Sequence, residues 1–148
     1  MNVVVTGSIA YDYLMTFPGR FAEHILPDQI HRLSVSFLVD EMRKQRGGCA
    51  ANIAFNLALL GERPRLMGTA GQDFGAYRAW LEGRGVDTSL VHAENDLFTA
   101  SFFVSTDQDG NQIANFYTGA MARARELSLR ALRHDGIDLV VISPNDPQ

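Results

Sequence analysis

The chain reads as an α/β protein built on a mainly parallel sheet, with a small β-appendage. Three observations carry that reading. Two short apolar runs, NVVVT (2–6) and DLVVIS (138–143), have the continuous β-branched character of strands buried on both faces. Strand-like and helix-like stretches alternate through most of the chain, as they do where helices cross over a parallel sheet. One segment breaks the alternation: TASFFVSTDQDGNQIANFYTG (99–119) reads as a hairpin.

Taken in order, the first strand (2–6) is bounded by Gly7, and residues 16–32 are irregular, punctuated by Pro18, Gly19 and Pro27. LSVSFLV (33–39) alternates, with Leu33, Val35, Phe37 and Val39 against Ser34 and Ser36, which predicts a half-exposed strand outside the parallel sheet. Residues 50–60 are nearly all apolar and predict a helix buried along most of its surface, stopped by Gly61 with Pro64 beyond. RLMGTAG (65–71) reads as a short strand. Asp73 is placed to cap a helix running to about Glu82, with Phe74, Tyr77 and Leu81 on one face. A further helix is expected near 126–133, ahead of the strand at 138–143. In the hairpin, the loop Gln108-Asp109-Gly110 puts glycine where a type I turn with a G1 bulge needs positive φ. That register pairs Asp107 with Asn111, and counting back sets Phe102 opposite Phe116. An appendage with two aromatic rings side by side is a candidate lid.

Composition narrows the classes. A chain of 148 residues suffices for one domain with a core. A net charge of −4 gives no reason to expect nucleic acid or an anionic membrane surface as partner. The single cysteine, Cys49, rules out an internal disulfide and points to a reducing, cytoplasmic home. No basic leader and no long apolar run suggests a signal peptide or a membrane span. His24, His31, His92 and His134 share no metal-ligand spacing, so no metal site is expected. Cys49 reads as a small packing residue, and RARELSLRALRH (123–134) as a solvated basic helix face.

The stretch RGGCAANIAFNLALLG (46–61) raises the functional question. Gly47 and Gly48 before a helix permit close approach of a ligand to the backbone and offer free N–H donors. Asn52, in the first turn, brings a donor and an acceptor to the same place. Asp12, just past the first strand in GSIAYDYL, can accept two hydrogen bonds from a vicinal diol. Together these make a polyol pocket. The plainer reading, favoured on spacing alone, is a helix cap, a tight turn and a solvated loop acid.

The same stretch resembles the first signature of the PfkB (ribokinase-like) family of carbohydrate and nucleoside kinases, and fits at Gly47, Gly48, Ala50, Asn52, Ala54, Gly61 and Gly71. GQDFG (71–75) resembles the family's usual continuation. VTGSIAYDYLMTFPGRF, LSVSFLVDEMRKQRGG, YRAWLEGRGVD and TDQDGNQIANFYTGAM look like its bacterial adenosine-kinase branch. The resemblance implies a ribokinase-like three-layer α/β/α fold with a β-sheet lid, its segments near 14–46 and 97–120. It implies phosphorylation of adenosine at the 5′-hydroxyl, in purine salvage, with ATP and Mg²⁺. It assigns the ribose hydroxyls to Asp12, Gly48 and Asn52 beside Gly47, the pocket lining to Ser8 and Ser36, and the two faces of the adenine to Phe102 and Phe116. It further implies a homodimer paired through the lid.

The chain also departs from the family. Members run to about twice this length, and their second half carries a Gly-Ala-Gly-Asp type motif whose aspartate is the general base and whose amides form the anion hole. No such motif and no P-loop occurs here. The chain is therefore expected to be the N-terminal portion of the kinase domain. It would hold the acceptor and lid half, lack the base and the ATP site, and be inactive alone, with an apolar edge exposed near 138–143. Alternatives are a PfkB sugar kinase of the ribose or fructose type, or a non-catalytic nucleoside- or sugar-binding module that oligomerises through its lid. A dinucleotide-binding domain is weaker, because GSIAYD lacks the G-x-G-x-x-G fingerprint.

Overall fold

The computed structural model describes residues 1–133 and 136–146, and His134 lies outside them. In chain order the strands are β1 (Val3–Thr6), β2 (Ala10–Thr16), β3 (Glu41–Gly47), β4 (Arg65–Ala70), β5 (Asp87–Ala93), β6 (Ala100–Thr106), β7 (Gln112–Tyr117) and β8 (Leu139–Ile142). Among the described residues two α-helices, α1 (Cys49–Leu59) and α2 (Gly75–Glu82), follow β3 and β4. The chain divides into two compact units. The first comprises Met1–Tyr11, Arg46–Ser101 and Tyr117–Gln148, and the second Asp12–Gln45 and Phe102–Phe116.

The first unit is built on a sheet of order β5-β4-β1-β8 whose neighbours all run parallel. Val3, Val4 and Val5 are fully buried, so both faces of β1 are covered, as a run without polar alternation demands. Val4 and Met67 share one face with Leu132, against which Leu90, Leu127, Leu129 and Ile137 pack. α1 packs on β1 and β4, and α2 on β5. β8 closes one edge of the sheet, and there Leu139 and Ile142 are exposed.

Several expectations need correction. α1 buries only Ala50, Ala51 and Ala54; Asn52 and Asn56 face solvent, and Leu59 and Leu60 are exposed at its C-terminal end. Asp73 does not cap α2, which starts at Gly75 without a side-chain cap. Its carboxylate instead accepts from the Thr99 amide (2.8 Å) and hydroxyl (2.7 Å), at the start of β6. The basic stretch expected as a helix near 126–133 forms two 3-10 segments, Gly119–Glu126 and Leu129–Leu132, broken by extended Leu127. It is not uniformly solvated either: Arg123 pairs with buried Glu94 and with Asp96 (2.9 Å), tying the first segment to the loop after β5.

The second unit is carried by a sheet of order β3-β2-β6-β7. Residues 33–39 are not a strand. Val35, Phe37 and Val39 keep the alternating burial, but the ladder beside β2 starts only after them: Asp40 donates to the Thr16 carbonyl (3.0 Å), and the strand begins at Glu41. Phe37 instead joins a cluster with Phe17, Phe21 and His24. Two 3-10 turns, Phe21–Glu23 and Pro27–Arg32, organise the irregular stretch before it. The hairpin loop forms as expected, with Asp107 N–H donating to the Asn111 carbonyl (3.0 Å) and Gly110 at φ 81°.

Candidate functional site

In the first unit the sequence-marked residues converge on the N-terminus of α1. Ser8 is its cap. The Ser8 hydroxyl oxygen accepts from the Cys49 amide (2.8 Å), and the Ser8 carbonyl accepts from Ala50 (3.2 Å) and Ala51 (3.5 Å). The Asn52 amide already donates to the Gly48 carbonyl (3.0 Å). The first-turn amides expected to be free for a ligand are therefore taken by the chain's own backbone and by Ser8. Gly48 sits at φ 93°, and a Cβ there would lie 2.5 Å from the Ser8 carbonyl oxygen and 2.7 Å from Ile9 Cα. The bare backbone is needed to seat α1 against residues 8–10, whatever else it serves. Gly47 is buried, and its carbonyl accepts from the Tyr77 hydroxyl (2.9 Å). Asn52 is exposed; its carbonyl accepts from the Asn56 side chain (2.8 Å), one turn on.

In the second unit, alternation along the strands sorts the remaining candidates. Tyr13 of β2 and Phe103 of β6 stack with centroids 4.6 Å apart, so they share one face of the sheet, with Lys44 Nζ 5.3 Å from the Tyr13 ring. Asp12 and Phe102, each one residue away, project from the opposite face. The hairpin register is fixed at Asp107 with Asn111 and supported at the next pair, where the Gln112 side chain donates to the Thr106 hydroxyl (3.3 Å). Continued along the hairpin, that register sets Phe116 opposite Phe102 on the same face as Asp12. Phe116 is 52% exposed, while Asp12 and Phe102 are half-buried. Burial pushes the Asp12 carboxyl above the usual aspartate pKa. Ser36 lies on the irregular segment before β3 and is exposed.

Sequence reasoning missed the Tyr13–Phe103 stack on the other face of the second sheet and, in the first unit, the Tyr77 hydroxyl on Gly47. A period-two reading of AYDYLMT would have found β2 and set Tyr13 apart from Asp12. Among the described residues no group of three or more His, Cys, Asp or Glu side chains comes together to hold a metal ion. The first turn of α1, its amides already taken by Ser8 and Gly48, does not present a free anion-binding turn.

Comparison with known proteins gives the chain its relatives. The model of the pfkB family carbohydrate kinases matches residues 3–143. A nucleoside kinase of Methanothermobacter thermautotrophicus is 31% identical over 148 residues, which cover 99% of this chain and 45% of that protein. The structure of Burkholderia thailandensis nucleoside kinase in complex with inosine is similar at 40% identity and a TM-score of 0.75, over 97% of this chain and 44% of that one. Methanocaldococcus jannaschii nucleoside kinase, an archaeal member of the ribokinase family, superimposes with a TM-score of 0.80 at 27% identity, over 99% and 46%. The chain spans less than half the length of these relatives.

Proposed function

Because the chain belongs to the PfkB family of carbohydrate kinases, with the ribokinase-like α/β fold of its structural relatives, we propose that it is the acceptor-binding portion of a nucleoside kinase. The substrate is adenosine, phosphorylated at its 5′-hydroxyl by ATP with Mg²⁺, in cytoplasmic purine salvage. The second unit acts as the lid of that kinase. The general base and the nucleotide site belong to the part of the relatives' length that this chain does not span.

The observation that supports this reading most is the shared face of the second sheet, where alternation and hairpin register gather Asp12, Phe102 and Phe116. A pentose has no π-face, whereas a purine stacked on an aromatic side chain gains about 1–3 kcal/mol. A half-buried carboxylate, poorly hydrated, gains from two hydroxyl donors of a vicinal diol. Asn52, exposed on the first turn of α1, adds an amide donor and acceptor for the ribose, beside Gly47 and Gly48. Ser8 keeps its hydroxyl proton for donation, and Ser36 brings a second hydroxyl.

The test is calorimetric titration with adenosine and with ribose, in a chain extended to the length of its relatives. Phe102→Ala should weaken adenosine binding about 5- to 150-fold, the equivalent of about 1–3 kcal/mol, and leave ribose unaffected. Asp12→Asn should weaken both, because an amide replaces one acceptor oxygen with a donor. Equal adenosine affinity for Phe102→Ala and the parent would remove the base from the reading and favour a sugar kinase.

The lid is also the proposed dimer surface. β3 and β7 are the two edges of its sheet, and Ile113 and Phe116 are exposed on the second. Unpaired edges of this kind recruit another strand. Light scattering should show a dimer, and a monomer persisting across a wide concentration range would refute the pairing.

A further inference from the structure

Tyr77 is one of the most deeply buried side chains in the molecule, at 1% exposure, yet it carries a phenol that needs a partner. α2 delivers it between Tyr11 (centroids 5.5 Å apart), Phe74 (5.6 Å) and Trp80 (5.9 Å), and its hydroxyl donates to the Gly47 carbonyl at 2.9 Å. The neighbouring Arg46 reinforces the same place: its guanidinium lies 4.9 Å from the Trp80 ring and 6.0 Å from that of Tyr77. One helix thus grips both residues that lead into Gly48.

The peptide between Gly47 and Gly48 is trans, as are the other peptide bonds among the described residues. In a planar trans peptide the carbonyl and the following N–H point in opposite directions. Fixing the Gly47 carbonyl on Tyr77 therefore fixes the direction of the Gly48 N–H. That amide is the one the α1 cap leaves out, since Cys49, Ala50, Ala51 and Asn52 all donate to Ser8 or Gly48. Glycine at this position has the broadest backbone freedom of any residue, so without an external clamp the peptide plane could rotate.

We propose that Tyr77 is a positioning residue, which aims the Gly48 amide outward as a preorganised donor to a hydroxyl oxygen of the bound nucleoside. The role rests on the reading of Gly48 as part of the nucleoside site, and it assigns to α2 a task that the apolar face of that helix does not reveal. The gain is one of preorganisation: a donor already held in direction loses little freedom when the ligand arrives.

The test uses Tyr77→Phe, which removes the hydroxyl and keeps the ring, with Tyr11→Phe as control. The control deletes another buried phenol of the same cluster, one that donates to the Asp73 carbonyl (3.1 Å) and not to the turn. NMR relaxation order parameters of the backbone N–H groups compare Gly48 with Val5 and Leu66 of the core. Alkylation of Cys49, the only thiol in the chain, reads the same turn chemically. Tyr77→Phe should lower the Gly48 order parameter from the rigid range, about 0.85, to below about 0.6 and raise the Cys49 alkylation rate, leaving Val5 and Leu66 at parent values; Tyr11→Phe should leave Gly48 unchanged. Adenosine affinity in the extended protein should fall several-fold with Tyr77→Phe. An unchanged Gly48 order parameter, or an equal fall with Tyr11→Phe, would overturn the proposal, as would a loosened turn that binds adenosine as tightly as the parent does. A parent that binds no nucleoside would sink the nucleoside reading instead, while the order-parameter comparison would still decide whether Tyr77 orients the turn.

Discussion

Asp107 accepts hydrogen bonds from the amides of Phe21 (3.0 Å), Asp109 (3.0 Å) and Asn111 (2.8 Å), and from the Asn111 side chain (3.0 Å). One carboxylate thereby shapes the β6–β7 loop and pins the 3-10 turn at Phe21 to it. Burial alone would push its pKa up, but the donors from Phe21, Asn111 and Asp109 outweigh burial and hold the carboxyl below its ordinary value. A depressed folded-state pKa means that the stabilisation is complete above the unfolded value, about 3.9, and is lost as pH falls through the folded one. Asp107→Asn, which sets an amide donor against these donors, should lower the melting temperature at pH 7 by several degrees. The gap to the parent should close on acidification below about pH 4. A gap of the same size at pH 7 and pH 2.5 would show that the charge is not what the loop uses.

At the scale of elements, legibility followed the source of each element's order. β1 was readable because its burial is written in an unbroken apolar run, β8 and α1 from their apolar character although much of each stays exposed, and the hairpin because Gly110 must take a positive φ. β3 was not readable: EMRKQRG is exposed along nearly all its length and exists because β2 offers it a ladder, which hydropathy does not record. The segment at 33–39 failed in the opposite way. It has a strand's alternation, but its apolar side chains are drawn into the Phe17–Phe21 cluster. Asp73 shows the same limit for caps, since a carboxylate ahead of a helix can serve a distant partner, here Thr99, which a local pattern cannot reveal. For the candidate site, residue types were legible and their hydrogen-bond economy was not. Gly48 and Ser8 meet at the N-terminus of α1, where Ser8 caps the helix and so takes up the amides that the glycine pair was expected to offer.

For the molecule as a whole, the proposed function gives recognition to these residues and assigns the chemistry to the part of the relatives' length that this chain does not span. In that proposal Asp12, Phe102 and Phe116 offer an acceptor and two π-faces in one unit, and Asn52 an amide in the other. No cluster of metal-ligating side chains accompanies them among the described residues. A hydroxyl that attacks a phosphoryl group must pass its proton to a base, and the developing charge must meet donors aimed at it. Losing one such donor typically costs about 10²–10³ in rate. In the proposed function base, donors and metal all belong to the part of the relatives' length that this chain does not span. The 148-residue polypeptide on its own is therefore expected to form no AMP from adenosine, Mg²⁺ and labelled ATP above a no-enzyme blank. The same polypeptide exposes Leu139 and Ile142 on the β8 edge, so the assay must be run on material shown by light scattering to be free of aggregates. AMP formation above the blank, abolished by Asp12→Ala, would mean that these residues hold catalytic machinery of their own. The assignment of Asp12 to diol binding alone would then have to be abandoned.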